Sequence, residues 1–139
     1  MRSALANIDV VFHEAAYGGY MPEMATYVFG NSFGTAQMLE IISDHKPPIQ
    51  KVIVASSQAV YSEGAALCKV HGQVGPLLRP AEQLRSGNFR VHCPKCGRTT
   101  KSIATPEGTP GGGETVYALT KVDQEGFQEI RSLLQINEE

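Results

Sequence analysis

Several things are scarce in this 139-residue chain, and each scarcity removes a class of function. No apolar run approaches the ~20 residues that cross a bilayer, and Met1-Arg-Ser-Ala-Leu-Ala-Asn-Ile-Asp9 lacks the long apolar segment of a signal peptide, so the chain is read as cytoplasmic. Charge of either sign is not in excess: 12 Lys+Arg against 14 Asp+Glu leave a net −2, which gives no chain-wide field for nucleic acid or an anionic membrane. Cysteine is scarce too. Three cysteines cannot pair completely within one chain, which argues against a disulfide framework. What remains, with 42% hydrophobic and 19% charged residues, is the composition of an ordinary globular domain able to build one core.

The first half alternates strand and helix. Asp9-Val-Val-Phe-His13 is a short apolar run that predicts a buried parallel strand, stopping at Glu14-Ala-Ala-Tyr-Gly-Gly19. The small residues Ala15, Ala16, Gly18 and Gly19 either let a flat ligand approach the strand's carboxyl end or simply form a tight turn. Pro22 to Ser43 predicts a long helix interrupted by Gly30 and Gly34, which suggest close approach by another group. Asn31, between them, either faces solvent or offers a carboxamide that perturbs the helix beside a pocket. Val52-Ile-Val-Ala55 predicts a second strand, and strand–helix–strand favours a right-handed parallel crossover. Ser56 and Ser57 at its end are either turn formers or a hydroxyl aimed at substrate.

From Glu63 the rhythm breaks and Gly, Pro, Arg and Cys take over. Cys68-Lys-Val-His71-Gly72 and Cys93-Pro-Lys-Cys96-Gly97 each present two ligands two residues apart, followed by a glycine that permits a positive φ. Cys68, His71, Cys93 and Cys96 make a Cys3His set suited to tetrahedral zinc, predicting a ribbon of two hairpins around a closed, structural site. His13, His45 and His92 are read as packing or surface residues. Within this stretch Lys69, Arg79, Arg85, Arg90, Lys95, Arg98 and Lys101 face a single acid, Glu82. That basic segment leaves open a second function, a binding module for nucleic acid or protein, although Phe89 is the only aromatic there to stack on a base.

Thr105 to Thr115 is a turn-rich loop in which Glu114 stands where a phosphate-binding loop would need lysine. A helix from Val116 to Leu134 follows, with Phe127, Ile130, Leu133 and Leu134 as an apolar stripe for a core or a dimer. On it Tyr117 and Lys121 stand one turn apart and can face one pocket. A phenol of unperturbed pKa about 10 beside an ammonium is a proton-transfer device, although the spacing alone also fits a solvated helix face.

Asp9-Val-Val-Phe-His-Glu-Ala-Ala16, Asn31-Ser-Phe-Gly-Thr35, Val54-Ala-Ser-Ser-Gln-Ala-Val-Tyr61 and Tyr117-Ala-Leu-Thr-Lys121, in that order, resemble the motifs of the extended short-chain dehydrogenase/reductase family, in particular its NAD-dependent nucleotide-sugar epimerases and dehydratases. The resemblance implies an α/β fold: a partial Rossmann-like parallel sheet lacking the first βαβ units, over residues 1–62, with a zinc-ribbon-like insertion over 63–104. Residues 105–139 return to it as loop and catalytic helix. It implies Tyr117 as general base and Lys121 as the group that binds the nicotinamide ribose and lowers the tyrosine pKa. Ser57 would hydrogen-bond the reacting hydroxyl, with Asn31 supporting the catalytic set. Ala15, Ala16 and Tyr17, with Tyr117 and Lys121, would line NAD. A nucleotide-sugar is the implied substrate and a homodimer the implied assembly. The family's Gly-x-x-Gly-x-x-Gly turn would precede Met1 and its substrate-binding half would follow Glu139, so the chain is expected to be an internal fragment of a longer enzyme.

Overall fold

A computed structural model describes residues 1–19, 21–75, 77–109 and 112–136, with side chains through residue 130. After a one-turn helix α1 (Arg2–Leu5), strand β1 (Val10–His13) pairs in parallel with β2 (Lys51–Val54), in the register Val10↔Lys51 through His13↔Val54. A parallel pair needs a long crossover, and a helical run supplies it: α2 (Met24–Tyr27), a π-helical segment (Val28–Phe33) and α3 (Gly34–His45). The run ends where Lys46 takes a left-handed conformation (φ 41°) ahead of Pro47 and Pro48, which cannot continue a helix. The long helix α5 (Val116–Ile136) packs across α3, the π segment and β2. Leu5, Met38, Leu39, Ile42 and Val52 form the apolar core, with Val11 and Phe127 packed against it.

Only one face of the small parallel sheet is covered by the described residues. Val11 and Val52 point into the core, whereas Phe12 is 66% exposed and Val10 and Ile53 also face outward. The strands predicted as buried on both sides are therefore half-buried, because both helices that pack here lie on the same side. Of the apolar stripe on α5, Phe127 reaches the core and Ile130 is exposed. The side chains of Leu133 and Leu134 lie outside the described residues.

The contact between the crossover helix and α5 is polar. Asn31, Ser32, Thr35, Thr120, Lys121 and Gln124 are all buried there. Asn31 is completely enclosed: its Nδ2 donates to Thr120 Oγ1 (2.9 Å) and to the Tyr17 carbonyl (3.0 Å), and its Oδ1 accepts from the Tyr17 N–H (2.6 Å). Thr35 Oγ1 donates back to the Asn31 carbonyl (2.8 Å) and accepts from Gln124 Nε2 (2.6 Å). The π turn contains Asn31, and such a turn inserts an extra residue that swings a side chain off its helical position. Gly30 and Gly34 do not mark a close approach. A Cβ at either would make ordinary contacts, 3.5 Å from Tyr17 Cβ and 3.7 Å from the Phe29 carbonyl. Gly30 lies within the bulged stretch and Gly34 directly follows it.

Between β2 and α5 a second, antiparallel sheet forms in the order β4 (Gly72–Val74), β3 (Ala65–Cys68), β5 (Lys101–Ile103), with a short helix α4 (Ala81–Arg85) beside it. Its core is small: Ala66, Cys68, Val74 and Cys93, with Val91 against them. No helix among the described residues is long and apolar enough to cross a membrane.

Asn31→Ala strips a fully buried amide and leaves the Tyr17 backbone and Thr120 without their partners. We expect it to lower unfolding free energy by about 2–4 kcal/mol in urea titrations. A loss below about 0.5 kcal/mol would mean that the polar interface holds nothing together.

Candidate functional site

The parallel strands deliver two loops to the same end of the sheet, and the start of α5 lies between them. There an open cleft of about 1090 Å³ is lined by Gly18 and Gly19 from the first loop, Ser57 and Tyr61 from the second, and Thr115 to Tyr117 from α5. This is the carboxyl end of the parallel strands, where open α/β sheets place ligands. The stem of the second sheet closes the far wall with Ser62, Glu63, Gly64 and Thr105.

Ser57 and Tyr117 thus share one cleft although 60 positions separate them in sequence. Ser57 caps a 3-10 turn (Gln58–Tyr61), where its Oγ accepts from the Ala59 N–H at 3.2 Å. Ser57 is therefore a turn former that also stands in the lining of the cleft. Gly18 passes beside the ring of Tyr117; a Cβ there would lie 3.9 Å from Tyr117 Cε2. Gly113 is tighter, since a Cβ would come within 2.6 Å of Leu119, so only glycine lets the chain enter α5 on this path.

Lys121 sits behind Tyr117, with Nζ 6.0 Å from the ring centroid. It is 2% exposed, donates to the Ala55 carbonyl (2.7 Å), and burial pushes its pKa below 10.5. An ammonium has three donors. The Ala55 carbonyl takes one of them, and Lys121 itself is not among the residues that line the cleft.

Asn31 does not line the cleft but reaches it indirectly, since Thr120 Oγ1, which it holds, donates to the Tyr117 carbonyl at 2.8 Å. Ala15 and Ala16 are exposed and lie outside this cleft's lining, as does Tyr17, whose ring packs edge-on against Tyr27.

Sequence reasoning missed Tyr27 and Gln124. Tyr27 is buried, its hydroxyl donates to the Gly19 carbonyl (2.7 Å) and accepts from the Met21 N–H (3.1 Å), so it shapes the glycine loop. It stands at an apolar helical position, and its hydroxyl was the available signal. Gln124 joins β1 to the helices: its Nε2 lies 3.2 Å from His13 Nε2, which is itself 2.7 Å from Thr35 Oγ1. Burial, and then the charge of Lys121, push the His13 pKa below 6.5.

The second sheet brings its four candidate ligands together. Cys68, His71, Cys93 and Cys96 place their ligand atoms within 4.8 Å of one another. Cys68 Sγ lies 3.8 Å from Cys96 Sγ and 3.7 Å from His71 Nδ1, and Cys93 Sγ is 3.5 Å from His71 Nδ1. A tetrahedron with Zn–S ~2.3 Å and Zn–N ~2.0–2.1 Å has edges of about 3.8 Å between sulfurs and 3.6 Å from sulfur to nitrogen, so the donor set fits. Gly72 and Gly97 both take positive φ (69°), as the two turns require. Backbone N–H groups of Val70 and His71 aimed at Cys68 push its pKa down to about 6, favouring the thiolate that binds metal.

The structure is similar to that of UDP-glucuronic acid 4-epimerase from Bacillus cereus in complex with NAD, with a TM-score of 0.60 and 23% identity over 94% of this chain and 30% of that one. It is also similar to MoeE5 in complex with UDP-glucuronic acid and NAD (TM-score 0.61, 21% identity, 94% of this chain and 31% of that one) and to MoeE5 in complex with UDP-glucose and NAD (0.59, 20%, with the same coverage). The chain therefore spans about a third of the length of these neighbours. At such identities the likeness shows the fold, an α/β arrangement whose small parallel sheet matches part of theirs. No protein-family model matches the sequence, and no curated protein does.

The buried ammonium has a signature in pH. An unfolded lysine keeps its proton up to about 10.5, whereas Lys121 in the folded chain releases it earlier, so between the two values the unfolded state binds more protons and stability rises with pH. We expect wild type to gain stability relative to Lys121→Met as pH is raised from 8 towards about 10.5, measured by denaturant unfolding. A flat difference across that range would contradict the burial of the charge.

Proposed function

We propose that this chain forms the proton-transfer portion of an NAD-dependent nucleotide-sugar epimerase or dehydratase. The observation that carries the reading is the convergence of Ser57 and Tyr117 on one cleft, with the buried Lys121 Nζ over the Tyr117 ring at 6.0 Å from its centroid. Ser57 Oγ orients the sugar hydroxyl that reacts. Tyr117 takes the proton from it, and the ammonium of Lys121 offsets the negative charge that develops on the phenol oxygen. NAD, when bound, supplies the acceptor for a hydride leaving the sugar carbon, giving a keto-sugar for re-reduction, epimerisation or dehydration. Lys121 would hold its ribose hydroxyls, and the loop from Ala15 to Tyr17 would flank it. Asn31 acts by positioning, since its bonds fix Thr120 and the backbone of Tyr17.

The printed ligands of the structural neighbours, UDP-glucuronic acid and UDP-glucose, indicate the substrate class proposed. The domain division follows the two sheets: residues 1–62 and 105–139 make the Rossmann-like unit, and 63–104 a zinc-ribbon insertion whose stem walls the cleft. Zinc at Cys68, His71, Cys93 and Cys96 is structural in this reading, because all four positions are filled by protein ligands. Exposed Met24, Val28, Phe29, Phe33 and Leu119 on neighbouring helices supply an apolar face for a homodimer. Three unpaired thiols suit the reducing cytoplasm.

Calorimetric titration with NAD and with UDP-glucuronic acid tests the reading on wild type and Tyr117→Phe, with turnover followed alongside. Binding retained in Tyr117→Phe together with a loss of turnover of about 10²-fold or more is the expected result. Failure of wild type to bind NAD would sink it. The insertion gives a separate readout. One zinc per chain is expected by atomic absorption, and Cys93→Ser should lose the metal and, with it, the ordered wall of the cleft.

A further inference from the structure

The second sheet carries a charge pattern that the cleft does not use. Between Cys68 and Lys101 seven cations face one acid, while the rest of the chain is acidic, so the net −2 conceals a strong segregation. The stem of this sheet meets the cleft, but β3 runs away from it for three residue steps, about 10 Å, before reaching the metal cluster. Lys69, Lys95 and Arg98 lie in or beside the two cysteine turns at that far end, which abut, since Cys68 and Cys96 sulfurs are 3.8 Å apart. Lys101 sits on β5 across from Leu67, and Arg90 beside Phe89. None of these five lines the cleft.

Two of the seven cations are engaged. Arg79 reaches back to Glu63 (2.9 Å) and donates to the Phe89 carbonyl (3.0 Å), and Arg85 pairs with Glu82 (3.7 Å). The remaining five are exposed and have no ion pair among the described residues. Lys101 on β5 and four cations in the turns and loops around the sheet leave this segment with positive charge that a polyanion would compensate. Apolar groups stand among them: Phe89 is 66% exposed next to Arg90, Val70 is exposed within the first cysteine turn, and Leu67 is exposed between Gln73 and Lys101.

We propose that the exposed basic segment around this second sheet binds single-stranded nucleic acid. Cations track the phosphates, and Phe89 offers a ring on which a base stacks. A single strand is the favoured occupant because the exposed ring of Phe89 can stack on an unpaired base, whereas the bases of a duplex are already stacked on one another. The inference stands apart from the nucleotide-sugar reading, since it uses neither the cleft nor Tyr117.

Fluorescence anisotropy of the zinc-loaded full chain with labelled oligo-dT and oligo-U, read across salt, tests it. Binding should weaken with salt, with a log–log slope up to about −3.5 for five phosphate contacts. A Lys95→Glu, Arg98→Glu variant that retains its metal should bind at least 10-fold more weakly. Phe89→Ala should weaken binding while leaving the slope unchanged. Absence of salt-dependent binding overturns the proposal, as does unaltered affinity in the charge-reversed variant. Equal binding of a poly-glutamate peptide would also overturn it, by identifying the face as a general anion exchanger.

Discussion

The cleft depends on one enclosed carboxamide. Asn31 holds the backbone of Tyr17 on one side and Thr120 on the other, so a loop that follows β1 and a helix that begins 85 positions beyond Asn31 are fixed by the same two polar atoms. A buried amide left unpaired costs more than a paired one contributes, so the arrangement is all or nothing. Once it forms, the angle of α5 is set and Tyr117 has a defined place. Thr35 and Gln124 extend the same logic to His13 on β1. An apolar contact between these helices would tolerate sliding by a fraction of a turn. Directional bonds do not.

The second sheet is tied to this framework at its stem. Ala65 N–H donates to Thr105 Oγ1, and Ala65 pairs with Ile103, so the entry and exit of the insertion are clamped side by side. Ser62 and Glu63 beyond that clamp face the cleft, and Arg79 steadies Glu63. The Cys/His cluster and the wall of the cleft are thus joined by one short strand, β3, which runs from beside Gly64 to Cys68.

Much of this was legible in residue order. The parallel strand pair, the crossover helix and the two cysteine turns with their positive-φ glycines follow local chemistry or spacing, whereas the joining of Ser57 and Tyr117 was implied only by the family resemblance. Asn31 was visible as an oddity, a carboxamide between two glycines, and the π turn explains it. What could not be read was which polar side chains meet across the interface. Gln124 and Thr120 look like solvated helix positions until α5 is laid on α3, because hydrogen-bond partners far apart in sequence leave no periodic trace. The outward face of β1 was misread for a similar reason: an apolar run reports the residues' preference, not how many layers cover them. Ala15 and Ala16 are exposed, and the small residues that border the cleft are Gly18 and Gly19.

The clamp at the base of the insertion bears on how the chain finds its fold. Ser57 and Tyr117 are the ends of a long open loop, and bringing such ends together costs entropy that grows with loop length. Pairing of β3 with β5, locked by the cysteine turns, removes the middle of that loop and cuts the free length to about a third, saving roughly 0.6–1 kcal/mol of closure entropy. Most contacts within the ribbon are closer in sequence than the contact of α5 with β2, so the ribbon forms by the shorter search. Its closure would then shorten the diffusive path by which the tyrosine helix docks.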